Sequence, residues 1–136
     1  MAYPKSNLEQ YRVSAVNSAS PLQLVIMLYD GAMKHMAAGK RAMLQANVFE
    51  QNQSLQKAQR IIAELLSCLD MQKGGDVASN LLALYSFCYN KLVESNVEDT
   101  PEGIDQASEV LANLRTSWVE LDKATRQTVL ERHEVA

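Results

Sequence analysis

The chain has 136 residues, of which 47% are hydrophobic and 21% charged, with a formal net charge of −3. That suits one domain with a single core, and the mild acidity, pI near 5.4, gives no electrostatic reason to expect nucleic acid or an anionic membrane as partner. No apolar run approaches the roughly 18 residues of a membrane span, and residues 1–20 are polar without a signal-peptide core, so a cytoplasmic protein without membrane insertion is expected.

Residues 1–19 read as an irregular N-terminal arm, punctuated by Pro4, Ser6, Asn7, Ser14, Asn17 and Ser18. Leu8, Tyr11 and Ala15 keep a helical spacing within it. Tyr11, Val13 and Val16 would leave apolar surface in water, which argues against a plain disordered tail.

The first predicted helix spans 21–44. Ser20 fits the N-cap, Pro21 the first helical position, and Gln23 completes a Ser-x-x-Gln capping box. On a helical wheel its apolar and small residues cover about 260° of the circumference. One stripe holds Leu24, Met27, Leu28 and Gly31. A second holds Leu22, Val25, Ile26, Tyr29, Met33 and Met36. One stripe suffices at the edge of a small core. The second is explained either by packing on two sides, by cover from the arm, or by a groove for a partner.

The second predicted helix runs from 48 to 71 after a cap at Asn47, with Leu55, Ala58, Ile62, Leu65 and Leu69 as its stripe. Gly74 and Gly75 are expected to stop it, because glycine takes the left-handed C-cap conformation. Asp76 is the expected cap of a third helix reaching about Ser95, with Asn96 as its terminator. Val77, Leu81, Leu84, Tyr85, Cys88 and Leu92 form its core stripe. Leu82, Tyr89 and Val93 lie beside it. Thr100-Pro101-Glu102 announces the fourth helix, whose Ile104, Ala107, Leu111, Leu114, Trp118 and Leu121 recur with the rhythm of a bundle seam. Past Leu121 the seam positions turn polar. Short connections make neighbours antiparallel. The expected fold is therefore all-α, an antiparallel up-down-up-down four-helix bundle over 20–125, with the arm at 1–19 and a C-terminal tail at 126–136.

Catalytic chemistry finds little foothold. Cys68 and Cys88 fit neither a zinc site nor a redox pair and read as buried thiols. His35 and His133 lack a Glu-x-x-His partner, and no phosphate loop or nucleophile elbow occurs. No metal and no cofactor is expected. The one catalytic alternative is a histidine phosphotransfer bundle using His35, with Gly39 and Lys40 nearby. A core or boundary histidine is the plainer reading of His35.

Ser-Ala-Ser-Pro-x-Gln-Leu-x-x-Met-Leu-Tyr-Asp-Gly-Ala, from Ser18 to Ala32, resembles the signature of the flagellin export chaperones, the FliS family. Lys57-Ala58-x-x-Ile61-Ile62, then Lys73-Gly74-Gly75-Asp76-x-Ala78-x-Asn80-Leu81-x-x-Leu84-Tyr85, and Trp118 extend the resemblance from about Tyr11 to Leu121. It implies the same four-helix architecture. It also implies a non-enzymatic chaperone that binds the disordered C-terminal segment of flagellin, blocks premature polymerisation and keeps it competent for the export apparatus. In the family an arm tyrosine folds over part of the binding surface, and Tyr11 matches it. The expected groove is Ile26, Tyr29, Met33, Leu82, Tyr89 and Val93, covered in the free protein by Tyr11, Val13 and Val16. Homodimerisation of the free protein through the same surface is left open.

Overall fold

The computed structural model describes residues 19–135, with side chains as far as Glu131. Four helices follow one another: α1 (Pro21–Leu44), α2 (Val48–Ser67), α3 (Met71–Glu98) and α4 (Glu102–Val135). No strand occurs among the described residues. α1 packs on α2 and α4, and α3 packs on the same two helices from the opposite corner. The connections 45–47, 68–70 and 99–101 leave room only for a reversal of direction. The result is the expected up-down-up-down bundle.

Local chemistry sets the helix starts. The Ser20 hydroxyl accepts from the Gln23 amide at 3.1 Å, and the Gln23 side chain accepts from the Ser20 amide at 3.1 Å, which completes the capping box. Asn47 caps α2 by accepting from the Glu50 amide at 3.2 Å. Three boundaries differ from expectation. α2 already ends at Ser67, and Asp70 rather than Asp76 makes the next cap, accepting from the amides of Gln72 and Lys73. Gly75 does take positive φ (51°), but as a kink inside α3 after its first turn. α3 also runs past Asn96 to Glu98, and Asp99 supplies the left-handed residue that ends it (φ 56°).

The core is built from Tyr29 and Met36 of α1, Leu55 and Ile62 of α2, Leu81, Tyr85, Cys88 and Leu92 of α3, and Ile104, Ala107 and Leu111 of α4. Cys88 is fully buried as expected, whereas Cys68 sits exposed just past the end of α2, beyond the stripe that would bury it. α4, with 34 residues, is about 51 Å long, against about 36 Å for α1. It therefore overhangs the start of α1 and carries Val129 and Leu130 past the core.

Candidate functional site

The two apolar stripes of α1 have different fates. Tyr29 has no exposed surface and Met36 almost none, while Val25 and Met33 pack partly buried against the core. The second stripe is thus the inward one. Placing Tyr29 in a partner groove is corrected by the structure, and the reason is a set of non-local hydrogen bonds. The Tyr29 and Tyr85 hydroxyls lie 2.5 Å apart, and Trp118 Nε1 donates to the Tyr29 hydroxyl at 3.0 Å. The two tyrosine rings meet edge to face, 6.1 Å between centroids. Three helices are joined through these polar tips, deep in the apolar interior. Burial raises the Tyr29 pKa above its ordinary value. It raises that of Tyr85 further, with the hydrogen bond to Tyr29 adding to the effect. Both phenols are neutral at physiological pH.

Ile26 and Met33 are half-buried on α1, whereas Leu82 and Val93 are 42% and 39% exposed on α3. α1 and α3 occupy opposite corners of the bundle, so the six expected groove residues do not line one groove. Tyr89 instead faces α2, where it borders a shallow polar recess with Gln56, Gln59, Arg60 and Ala63. Leu82 and Val93 share its helical face. Tyr11, Val13 and Val16 lie outside the described residues.

The open apolar surface lies elsewhere, where α4 overhangs. A slot of about 260 Å³ runs between α3 and α4, lined by Val77, Leu81, Leu84, Leu114, Trp118 and Leu121. Leu121 also lines a second, larger groove of about 600 Å³, with Pro21 and Leu22 of α1 and Val129 and Leu130 of α4. Leu121 borders both, so the two grooves adjoin on α4 and together make up the apolar channel of this end. Val77 was expected in the core and is 62% exposed; Leu121, expected in the seam, is half-exposed. Sequence period gave their direction correctly. It could not show that α3 kinks at Gly75 and that the core ends before Leu121. A buried carboxylate, Asp122, sits in the larger groove and pairs with Arg126 at 3.0 Å.

His35 is half-buried beside Lys34 and Lys57, and burial first, then these cations, lower its pKa. It is neutral at pH 7 and holds the boundary position of its plainer reading. Among the described residues no group of His, Cys, Asp and Glu is arranged to hold a metal ion, and no helix is long and apolar enough to cross a membrane.

Residues 4–125 match the family described as Flagellar protein FliS. The chain is 36% identical over 118 residues to the flagellar secretion chaperone FliS of Vibrio cholerae, an alignment covering 84% of this chain and 87% of that protein. It is 34% identical over 121 residues to the flagellar secretion chaperone FliS of Salmonella typhimurium, covering 88% and 87% of the two chains. The flagellar secretion chaperone FliSB of Pseudomonas aeruginosa is 29% identical over 120 residues, covering 85% and 95%.

Proposed function

The chain belongs to the FliS family of flagellar secretion chaperones, and we propose that it binds the C-terminal segment of flagellin in the cytoplasm, blocks its premature polymerisation and hands it to the type III export apparatus. It is a chaperone and not an enzyme. The observation that carries the reading is the pair of open apolar grooves, one between α1 and α4 and one between α3 and α4, that adjoin at Leu121. A segment that folds on binding needs a large apolar template to offset its ordering cost. Apolar side chains held half-exposed on rigid helices supply that template. A flagellin segment long enough to wrap the bundle would continue onto the Leu82, Tyr89 and Val93 face.

The chain enters α1 at the rim of the larger groove, which Ser20 and Pro21 help to line. In this reading the arm residues Tyr11, Val13 and Val16 cover the channel when flagellin is absent. The test is calorimetry with the C-terminal peptide of the cognate flagellin. Binding with a negative heat-capacity change and gain of helicity is expected. No binding at tens of micromolar, about −6 kcal/mol, overturns the reading. Deleting residues 1–17 is expected to tighten binding, because the competent state no longer has to be uncovered. Unchanged affinity would remove the arm from the mechanism without touching the rest.

A further inference from the structure

The four most exposed large apolar residues in the described chain sit at the end of the bundle opposite the channel: Leu44 (69%), Val48 (65%), Phe49 (71%) and Val97 (77%). Single exposed apolar residues are ordinary; four gathered at one end are not. The corner that displays them is built firmly. Ala46 turns the chain with positive φ (56°), and the Asn47 amide donates back to Ala42 O at 2.8 Å. Gln51 is buried, and its Nε2 donates to Asn96 Oδ1 at 3.1 Å and to Asp99 Oδ1 at 2.8 Å. Asn96 Nδ2 in turn donates to Asn52 Oδ1 at 2.9 Å. These bonds hold the start of α2 against the end of α3, so Val48 and Phe49 of α2 and Val97 of α3 stand at the same end of the bundle.

The charge of this end is mostly negative. Residues 42–56 and 92–109 contain Glu50, Glu94, Glu98, Asp99, Glu102, Asp105 and Glu109 and no lysine or arginine. From just outside these stretches Lys40 pairs with Asp105 and Lys91 with Glu94, and Arg41 precedes Leu44 by one turn, which leaves Glu50, Glu98, Asp99 and Glu102 to set the sign. The chain as a whole carries only −3, so the negative field concentrates here. A second copy meeting this face about a two-fold axis would bring the same carboxylates together. Anionic lipid and nucleic acid are repelled for the same reason. An apolar patch inside a negative field is complementary to a segment whose apolar residues are flanked by lysine and arginine.

We propose that the face formed by Leu44, Val48, Phe49 and Val97 docks a basic amphipathic segment of a partner protein, at the opposite end of the bundle from the channel proposed for flagellin. The inference stands on this end of the molecule alone and does not depend on what the channel binds. The test is an amide chemical-shift titration of the full chain with a synthetic helical peptide of about 18 residues, leucine on one face at the i, i+3, i+4, i+7 spacing and lysine elsewhere. The same peptide with glutamate for lysine, and a lysine peptide with scrambled leucines, are the controls.

Shifts confined to residues 44–52 and 93–102 are expected, with affinity at least tenfold above both controls and falling as salt is raised. Phe49→Ser with Val97→Ser should weaken peptide binding at least tenfold while flagellin binding holds at its parent value. Glu50→Gln with Glu98→Gln keeps the apolar patch and should remove much of the salt dependence. The proposal is overturned if the lysine and glutamate peptides bind alike, if the shifts map to the channel, or if both double variants bind as the parent does. It is equally overturned if the free chain proves to be a dimer that Phe49→Ser with Val97→Ser dissolves, or if the face binds anionic vesicles instead of the peptide.

Discussion

The two ends of the bundle are made from the same four helices and behave oppositely. At the end holding the α1–α2 and α3–α4 corners, the helices touch backbone to side chain. A Cβ on Gly39 would stand 2.6 Å from Leu55 Cδ2, and one on Gly103 would stand 2.6 Å from Lys91 O and clash with Ser95 Oγ. Small residues at Ala42, Ser54, Ser95 and Ala107 keep this end closed. At the other end the helices lose contact with the core one after another: α3 kinks at Gly75, and α4 runs on past the start of α1. Apolar residues there keep their seam direction and have nothing opposite them. The comparison separates two kinds of packing: at the closed end small residues bring helix against helix, and at the open end apolar side chains are left lining grooves between the helices.

The largest expected effect breaks the core between these ends. Leu81 is 8% exposed and faces the central cluster. Leu81→Glu loses that burial and puts an unpaired carboxylate into an apolar setting. It should cost about 4 kcal/mol or more of a total near 5–15 kcal/mol. Loss of the cooperative melt, or a fall of more than ten degrees, is the expected reading by circular dichroism. A near-parent melting temperature would show that the core does not depend on this position.

Next comes the closed end itself. Gly103→Ala gains helix propensity, yet its methyl meets a backbone carbonyl on α3 that cannot rotate away. Overpacking of this kind costs about 1–3 kcal/mol, and the propensity gain returns up to about 1 kcal/mol. A net loss near 1–2 kcal/mol is expected in urea unfolding. A more stable Gly103→Ala would mean that α3 and α4 can part here as easily as at the open end.

The hydrogen-bonded tyrosines give a pH-dependent check on the core. Burial pushes the Cys88 thiol up to about 11 from an ordinary 9.0, and it raises the phenols of Tyr29 and Tyr85 above 10.0. Above pH 9 the unfolded chain therefore holds fewer protons than the folded one. Stability from these groups is complete below pH 9 and is lost as pH rises through the folded values. The phenolate absorbance of Tyr29 and Tyr85 should appear together with loss of helix. Phenolate formation at these two positions in a fully helical protein would contradict their burial. Tyr29→Phe, which strips Trp118 of its acceptor and Tyr85 of its partner, should cost about 1–2 kcal/mol.

The starts of α1 and α2 were legible because they are local. Ser20 with Gln23, and Asn47 with its own first turn, need only a few neighbouring residues to define a cap. The inward face of α1 was not legible, because both stripes are apolar and the choice rests on Tyr85 and Trp118, 56 and 89 residues away. A signal was present: Tyr29, Tyr85 and Trp118 lie on apolar stripes of three helices, and buried polar tips seek one another. Val77 and Leu121 teach a different lesson. Periodicity tells which way a side chain points, not whether a neighbouring helix fills the space it points into. Cys68 failed as a buried residue for a boundary reason, since α2 ends one residue before it.

The smallest stability effects belong to surfaces that are wet when the chaperone is empty, and they test which surface the proposed flagellin segment uses. Val77 is 62% and Leu82 42% exposed, on different sides of α3. Val77 borders the slot toward α4, and Leu82 shares a face with Tyr89 toward α2. Val77→Glu and Leu82→Glu should each change stability by less than about 1 kcal/mol. In the complex the new carboxylate must be desolvated against an apolar segment, so each should weaken binding of the flagellin peptide about tenfold, or 1.4 kcal/mol. A loss at Val77 alone would confine flagellin to the channel and release Leu82, Tyr89 and Val93 from contact. A loss at Leu82 alone would move the site to the α2–α3 side and leave the channel to the arm. Parent affinity in both variants would mean that neither side of α3 meets flagellin, and the channel would then have to be assigned to another occupant.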